Sequence, residues 1–181
     1  MIHPLDNLRA DHALVARACT ALQAIAESVQ AGCRFPAADT AVLLRFLRDF
    51  LAAVHLHKES SWLWPAIVMR GDDDAAASAG EVARLHEEVT ELIHSLVLFW
   101  EPGDLSAPER AGFAAAVQAL RDRIERMARI EEEVLFPACV RDVPPDDLLD
   151  WIEQFHRVEQ ERGGAKTWLP ILDGVLARWV A

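Results

Sequence analysis

The sequence predicts an all-α protein: an up-down-up-down four-helix bundle with an additional C-terminal helical segment. Three observations lead there. The 181 residues are 52 % hydrophobic, rich in Ala and Leu, and long enough for a sizeable core. Apolar residues recur at steps of three and four through four long stretches. The second half also echoes the first. His55-Leu-His-Lys-Glu59-Ser-Ser-Trp-Leu-Trp-Pro65 and Met127-Ala-Arg-Ile-Glu131-Glu-Glu-Val-Leu-Phe-Pro137 share the skeleton Glu, three residues, Leu, aromatic, Pro at an offset of 72. His12-Ala-Leu-Val15 and His86-Glu-Glu-Val89 repeat at an offset of 74.

Pro4 suits the first turn of a helix from about Leu5 to Gln30, and Gly32 its end. Leu8, His12, Val15, Cys19, Leu22, Ala26 and Val29 form its buried stripe. A second helix, about Asp39 to Trp64, carries Leu44, Leu51, His55, Glu59 and Trp62 on one side, and Pro65 ends or kinks it. Gly71-Asp-Asp-Asp74 reads as a solvated turn. The third helix, about Ala76 to Trp100, presents Val82, His86, Val89, Ile93, Leu96 and Trp100. Ser106-Ala-Pro-Glu109 is a capping box opening a fourth helix to about Phe136, with Phe113, Val117, Leu120, Ile124, Met127, Glu131 and Val134 inward. A fifth helix spans about Asp146 to Glu161, and Gly163-Gly164 separates it from a short segment, Trp168 to Val180, broken at Pro170. The domain division is therefore 1–140 for the bundle and 141–181 for an appendage packed on it.

The net charge of −11 argues against nucleic acid as a partner. Cys19, Cys33 and Cys139 form neither a disulfide framework nor a zinc motif, which suits reduced thiols in a cytoplasmic protein. No apolar run approaches the roughly 20 residues needed to cross a bilayer, so no membrane partner is expected, and no signal peptide is read at the N-terminus. With no Tyr, no phenol is available as a ligand or proton donor.

Short loops make neighbouring helices antiparallel, so the start of the first and third helices lies level with the end of the second and fourth. His12, Glu59, His86 and Glu131 then occupy matching depths, with His55 one turn deeper on the Glu59 face. Five polar side chains would converge in an apolar core with no inward Lys or Arg beside them. A buried carboxylate costs several kcal/mol unless paired or bound to a cation. Imidazole with carboxylate suits iron, manganese or zinc.

On these residues the chain resembles the hemerythrin-like HHE cation-binding domains, over roughly residues 5–140. The resemblance implies one metal held by His12 and His55, with Glu59 and Glu131 bridging to a second held by His86 and a further His. That further His is replaced by Met127, and Thr90 gives no second imidazole beside His86. A mononuclear, an asymmetric dinuclear and a vestigial site all remain open, and the favoured reading is one well-held metal with a weaker second. The implied role is sensing or handling oxygen, nitric oxide or iron, with iron in one or two ions as cofactor.

Other readings carry their own marks. A ferritin-like dimetal site would use Glu91-Leu-Ile-His94 and Glu153-Gln-Phe-His156, although His94 lies roughly 12 Å deeper than His86. A metal-free interaction module would use exposed Trp151, Trp168 and Trp179 for a partner or a homodimer. Redox catalysis at the metal is a third, for which no residue selects a substrate. His3 is expected to be exposed, His57 to face solvent or the appendage, and His94 and His156 to be partly buried.

Overall fold

The computed structural model describes residues 3–98 and 105–180. Among them there are six helices and no strand. Trp100 and the Glu101-Pro-Gly break fall outside the described residues. Helix α1 is Pro4–Gln30, with His3 as its cap: the Nδ1 of His3 accepts the Leu5 N–H at 3.3 Å, and the residue is partly buried rather than exposed. Gly32, at φ 92°, follows its end, where a side chain would be strained.

Helix α2 covers residues 37–70 without interruption. It comprises α segments Ala37–Phe46, Leu56–Lys58 and Trp64–Arg70 joined by π segments Leu47–His55 and Glu59–Leu63. Pro65 therefore does not end it. Asp72 caps α3 (Asp73–Val97), its carboxylate accepting the Ala75 N–H at 2.9 Å. Helix α4 covers residues 107–142 as Ala107–Ile130, a π segment Glu131–Leu135 and Phe136–Asp142, so it also continues through its proline, Pro137. Its capping box forms as read from the sequence, with Ser106 N–H donating to Glu109 at 2.7 Å.

Contacts between the helices fix their directions. Arg9 on α1 meets Glu132 on α4, while Gly32 lies beside Arg110 near the other end. Arg126 pairs with Glu81 and Arg123 with Glu88, so α3 and α4 also run opposite ways. The inward stripes read from the sequence are buried, including Leu8, Val15, Leu22, Val29, Leu44, Leu51, Val82, Ile93, Phe113 and Leu120. His12, Trp62 and Val134 depart from this, being half-buried, and Trp62 is turned to Phe155 at 5.8 Å.

The last two helices, α5 (Pro145–Arg162) and α6 (Ala165–Trp179), lie against α1 and α2. Pro170 does not break α6; the helix runs through it. Trp151 and Trp168 are buried, and the Nε1 of Trp179 donates to Asp39 at 2.8 Å. These three residues are thus packing groups of the chain itself, not an exposed tryptophan surface. No helix among the described residues is long and apolar enough to cross a membrane. Leu172 on α6 is 0 % exposed, so Leu172→Ala is expected to lower folding stability by about 2–5 kcal/mol in a denaturant titration.

Candidate metal centre

Both glutamates of the repeated skeleton begin a π turn. Trp64 N–H donates to the Glu59 carbonyl, and Phe136 N–H to that of Glu131, each five residues back. A following proline favours such a turn, because in an α register its ring would crowd the carbonyl four residues before it. The extra residue in a π turn opens that space, and π turns of this kind recur at functional sites. Glu-x-x-x-Leu-aromatic-Pro is therefore a local structural device as well as a sequence repeat.

The five side chains singled out from the sequence come together. Glu59 divides its two oxygens: Oε1 lies 3.2 Å from His55 Nε2 and 3.6 Å from His12 Nε2, while Oε2 lies 2.9 Å from His86 Nε2. Glu131 Oε2 is 3.0 Å from His12 Nε2. Two triads result, His12–His55–Glu59 and Glu59–His86–Glu131, each with one donor atom per residue within 4.8 Å of the others. Donors around one ion at bonds of roughly 2.1 Å are separated by a similar span.

His55, Glu59 and Glu131 are 0 % exposed. Despite the short distances, His12 Nε2, His55 Nε2, Glu59 Oε1 and both Glu131 oxygens have no hydrogen-bond partner. Buried polar atoms are normally paired, so five orphans facing one another fit a bound cation. The donor set is borderline-to-hard nitrogen and oxygen, which fits iron, manganese or zinc.

Aromatic rings cover the imidazoles. Trp64 lies 4.3 Å from His86, and Phe136 stacks on His12 at 5.9 Å. An apolar cavity of about 120 Å³ adjoins His12 and His55 and is bordered by Val15, Leu51 and Met127. Met127 is buried, so no imidazole stands at that point of α4. Thr90 turns its hydroxyl back to the His86 carbonyl at 2.9 Å.

Charge in the metal-free cluster is mutually compensated. Burial works against a charged His12, but Glu131 and Glu59 override it and push its pKa up to about 9. Burial is likewise overridden at His55, chiefly by Glu59 and Asp11, to about 10. Burial would raise Glu59, yet His55, His12 and His86 hold it well below the usual carboxylate range. Burial and the neighbouring Glu59 charge raise Glu131.

Sequence reasoning missed a second layer. Lys58 is 0 % exposed, beside Glu59, contrary to the expectation of no inward Lys or Arg. It pairs with Asp11 at 2.9 Å, and Asp11 accepts from His55 Nδ1 at 3.3 Å. The signal was available: Leu8–Asp11–Val15 and Leu51–Val54–Lys58 are spaced as apolar stripes, each with a charge on it. The remaining histidines stay out of the site. His57 contacts Ser61 and Trp62, while His94 and His156 are exposed rather than partly buried.

With this geometry in place, comparison with known proteins is decisive at the family level. The model of the hemerythrin HHE cation binding domain matches residues 3–139. The chain belongs to the hemerythrin HHE family. No curated protein and no solved structure matches it. Family membership implies cation binding, and the two His/Glu triads are groups that could hold the ion.

The pH dependence of the metal-free protein follows from the histidine shifts. Both pKa values are raised above the unfolded value near 6.5, so their stabilisation is complete below 6.5 and is lost as pH rises through 9 to 10. The raised Glu131 acts in the same direction. Denaturant titrations of metal-free protein between about pH 6.5 and 8.5, below ordinary thiol titration, are expected to show stability falling steadily.

Proposed function

We propose that this chain binds iron at an asymmetric dinuclear site, with His12, His55, Glu59, His86 and Glu131 as ligands, and senses or handles oxygen, nitric oxide or iron. The observation that carries this reading is the division of Glu59, one oxygen facing His12 and His55 and the other facing His86. A carboxylate so placed could give one oxygen to each of two ions. The first position has two imidazoles and the Glu59 carboxylate. The second has one imidazole and shares Glu59 with Glu131, and Met127 offers only a thioether where a further nitrogen would strengthen it. Unequal affinity follows.

Bound iron would supply a Lewis-acidic, redox-active centre able to take a diatomic ligand. The chain's own contribution is shelter: the largely apolar cavity beside His12 and His55, with Arg121 and Glu125 at its border, has room for such a molecule. The antiparallel ion pairs of α1 with α4 and α3 with α4 support an up-down-up-down bundle as the frame. Residues 141–181 are read as an appendage to it.

Titration with iron(II) in the absence of oxygen is expected to show two unequal steps. Glu59→Ala should abolish both, and His86→Ala only the weaker. A wild-type protein that holds no iron after reconstitution, by elemental analysis, would overturn the reading. Loading at about a hundredfold over Kd should stabilise the fold by about 2.7 kcal/mol, reversed by chelator. Met127→His, placing an imidazole beside the cavity, is expected to raise retained metal toward two ions per chain in the same elemental analysis.

A further inference from the structure

The three ammonium hydrogens of buried Lys58 meet three acceptors: Asn7 Oδ1 at 2.8 Å, Asp11 Oδ2 at 2.9 Å and Glu159 Oε1 at 2.6 Å. Asn7 and Asp11 belong to α1, but Glu159 comes from α5, beyond the matched family segment. Asn7 Nδ2 also donates to Glu159 at 2.9 Å. One turn before Glu159, Phe155 sets its ring 5.4 Å from the ammonium. On the other side, His55 Nδ1–H donates to the same Asp11 oxygen. Contacts therefore run unbroken from His55 through Asp11 and Lys58 to Glu159. The turn after α5 leaves room for this: a Cβ on Gly164 would lie 2.9 Å from the Cβ and Cγ of Glu159.

We propose that Glu159 is a positioning residue for the first metal position: by balancing Lys58 it leaves Asp11 free to hold and polarise His55, so the C-terminal helices set the affinity of that position. The proposal rests on the metal-binding reading given above. Its sign follows from electrostatics. A carboxylate accepting from a ligand imidazole fixes the ring and makes its other nitrogen a better donor. An unbalanced ammonium beside that carboxylate draws its charge away and adds a positive charge close to a cation site. Glu159 removes both effects.

The test uses the full chain titrated with iron(II) without oxygen, read by calorimetry, with circular dichroism as the check on folding. Glu159→Gln keeps the shape and an acceptor for Lys58 but not the charge; it is expected to weaken the first binding step roughly tenfold. Glu159→Gln combined with Lys58→Met removes the ammonium as well and is expected to bring affinity most of the way back. Wild-type affinity in Glu159→Gln overturns the proposal. So does a double variant as weak as the single one, since that marks a packing role. Should Glu159→Gln not fold, Gly164→Ala, whose Cβ displaces the Glu159 side chain, takes its place, and wild-type affinity there is equally fatal. Absence of any iron binding by the wild type overturns the metal-binding reading itself, and this proposal with it.

Discussion

Two carboxylates with no exposure to solvent, a few ångströms from three imidazoles, form the constraint around which this molecule is built. Burying one ionised carboxylate without compensation costs several kcal/mol. In the metal-free cluster protons supply the compensation, which is why His12 and His55 titrate so high. A cation offers the alternative, and the orphaned Nε2 and carboxylate oxygens mark where it fits. The surrounding core of Leu, Val, Ile and Phe keeps water out and makes either form of compensation obligatory.

Local backbone geometry serves that constraint. In a regular α register Pro65 and Pro137 would crowd the carbonyls of Ser61 and Glu133. The π turns that begin at Glu59 and Glu131 let α2 and α4 pass through these prolines and carry the helices about a turn further. The same turns place an aromatic residue over an imidazole, Trp64 on His86 and Phe136 on His12. One stretch of sequence thus delivers the donor, its shield and the helix continuation together.

Much of this was legible in the residues. The three-and-four spacing of apolar positions located the long helices, and the repeat brought His12, His55, Glu59, His86 and Glu131 to one level. Helix ends were misread where proline was taken as a terminator, at Pro65 and Pro170, because the rule describes an α register and says nothing of an available π register or of tertiary support. Asp11 and Lys58 escaped notice because a charged residue is normally assigned to a solvated face. Only its position between apolar neighbours on the same stripe betrays burial. Glu159 was not legible at all, since its link to Lys58 spans 101 residues and depends on how α5 docks. The burial of Trp151 and Trp168 was hidden for the same reason.

The aromatic shields cross between the halves. Trp64 belongs to the first helix pair and covers a histidine of the second, and Phe136 does the reverse. The carboxylates cross likewise, Glu59 to His86 and Glu131 to His12. Each pair of helices borrows groups from the other. A hairpin made of α1 and α2 alone would keep the His12–His55–Glu59 triad but would lack Glu131 beside His12, the ring of Phe136 and the second triad's His86. The two halves are nevertheless not equivalent, since Met127 stands at the place in the second half that His55 holds in the first.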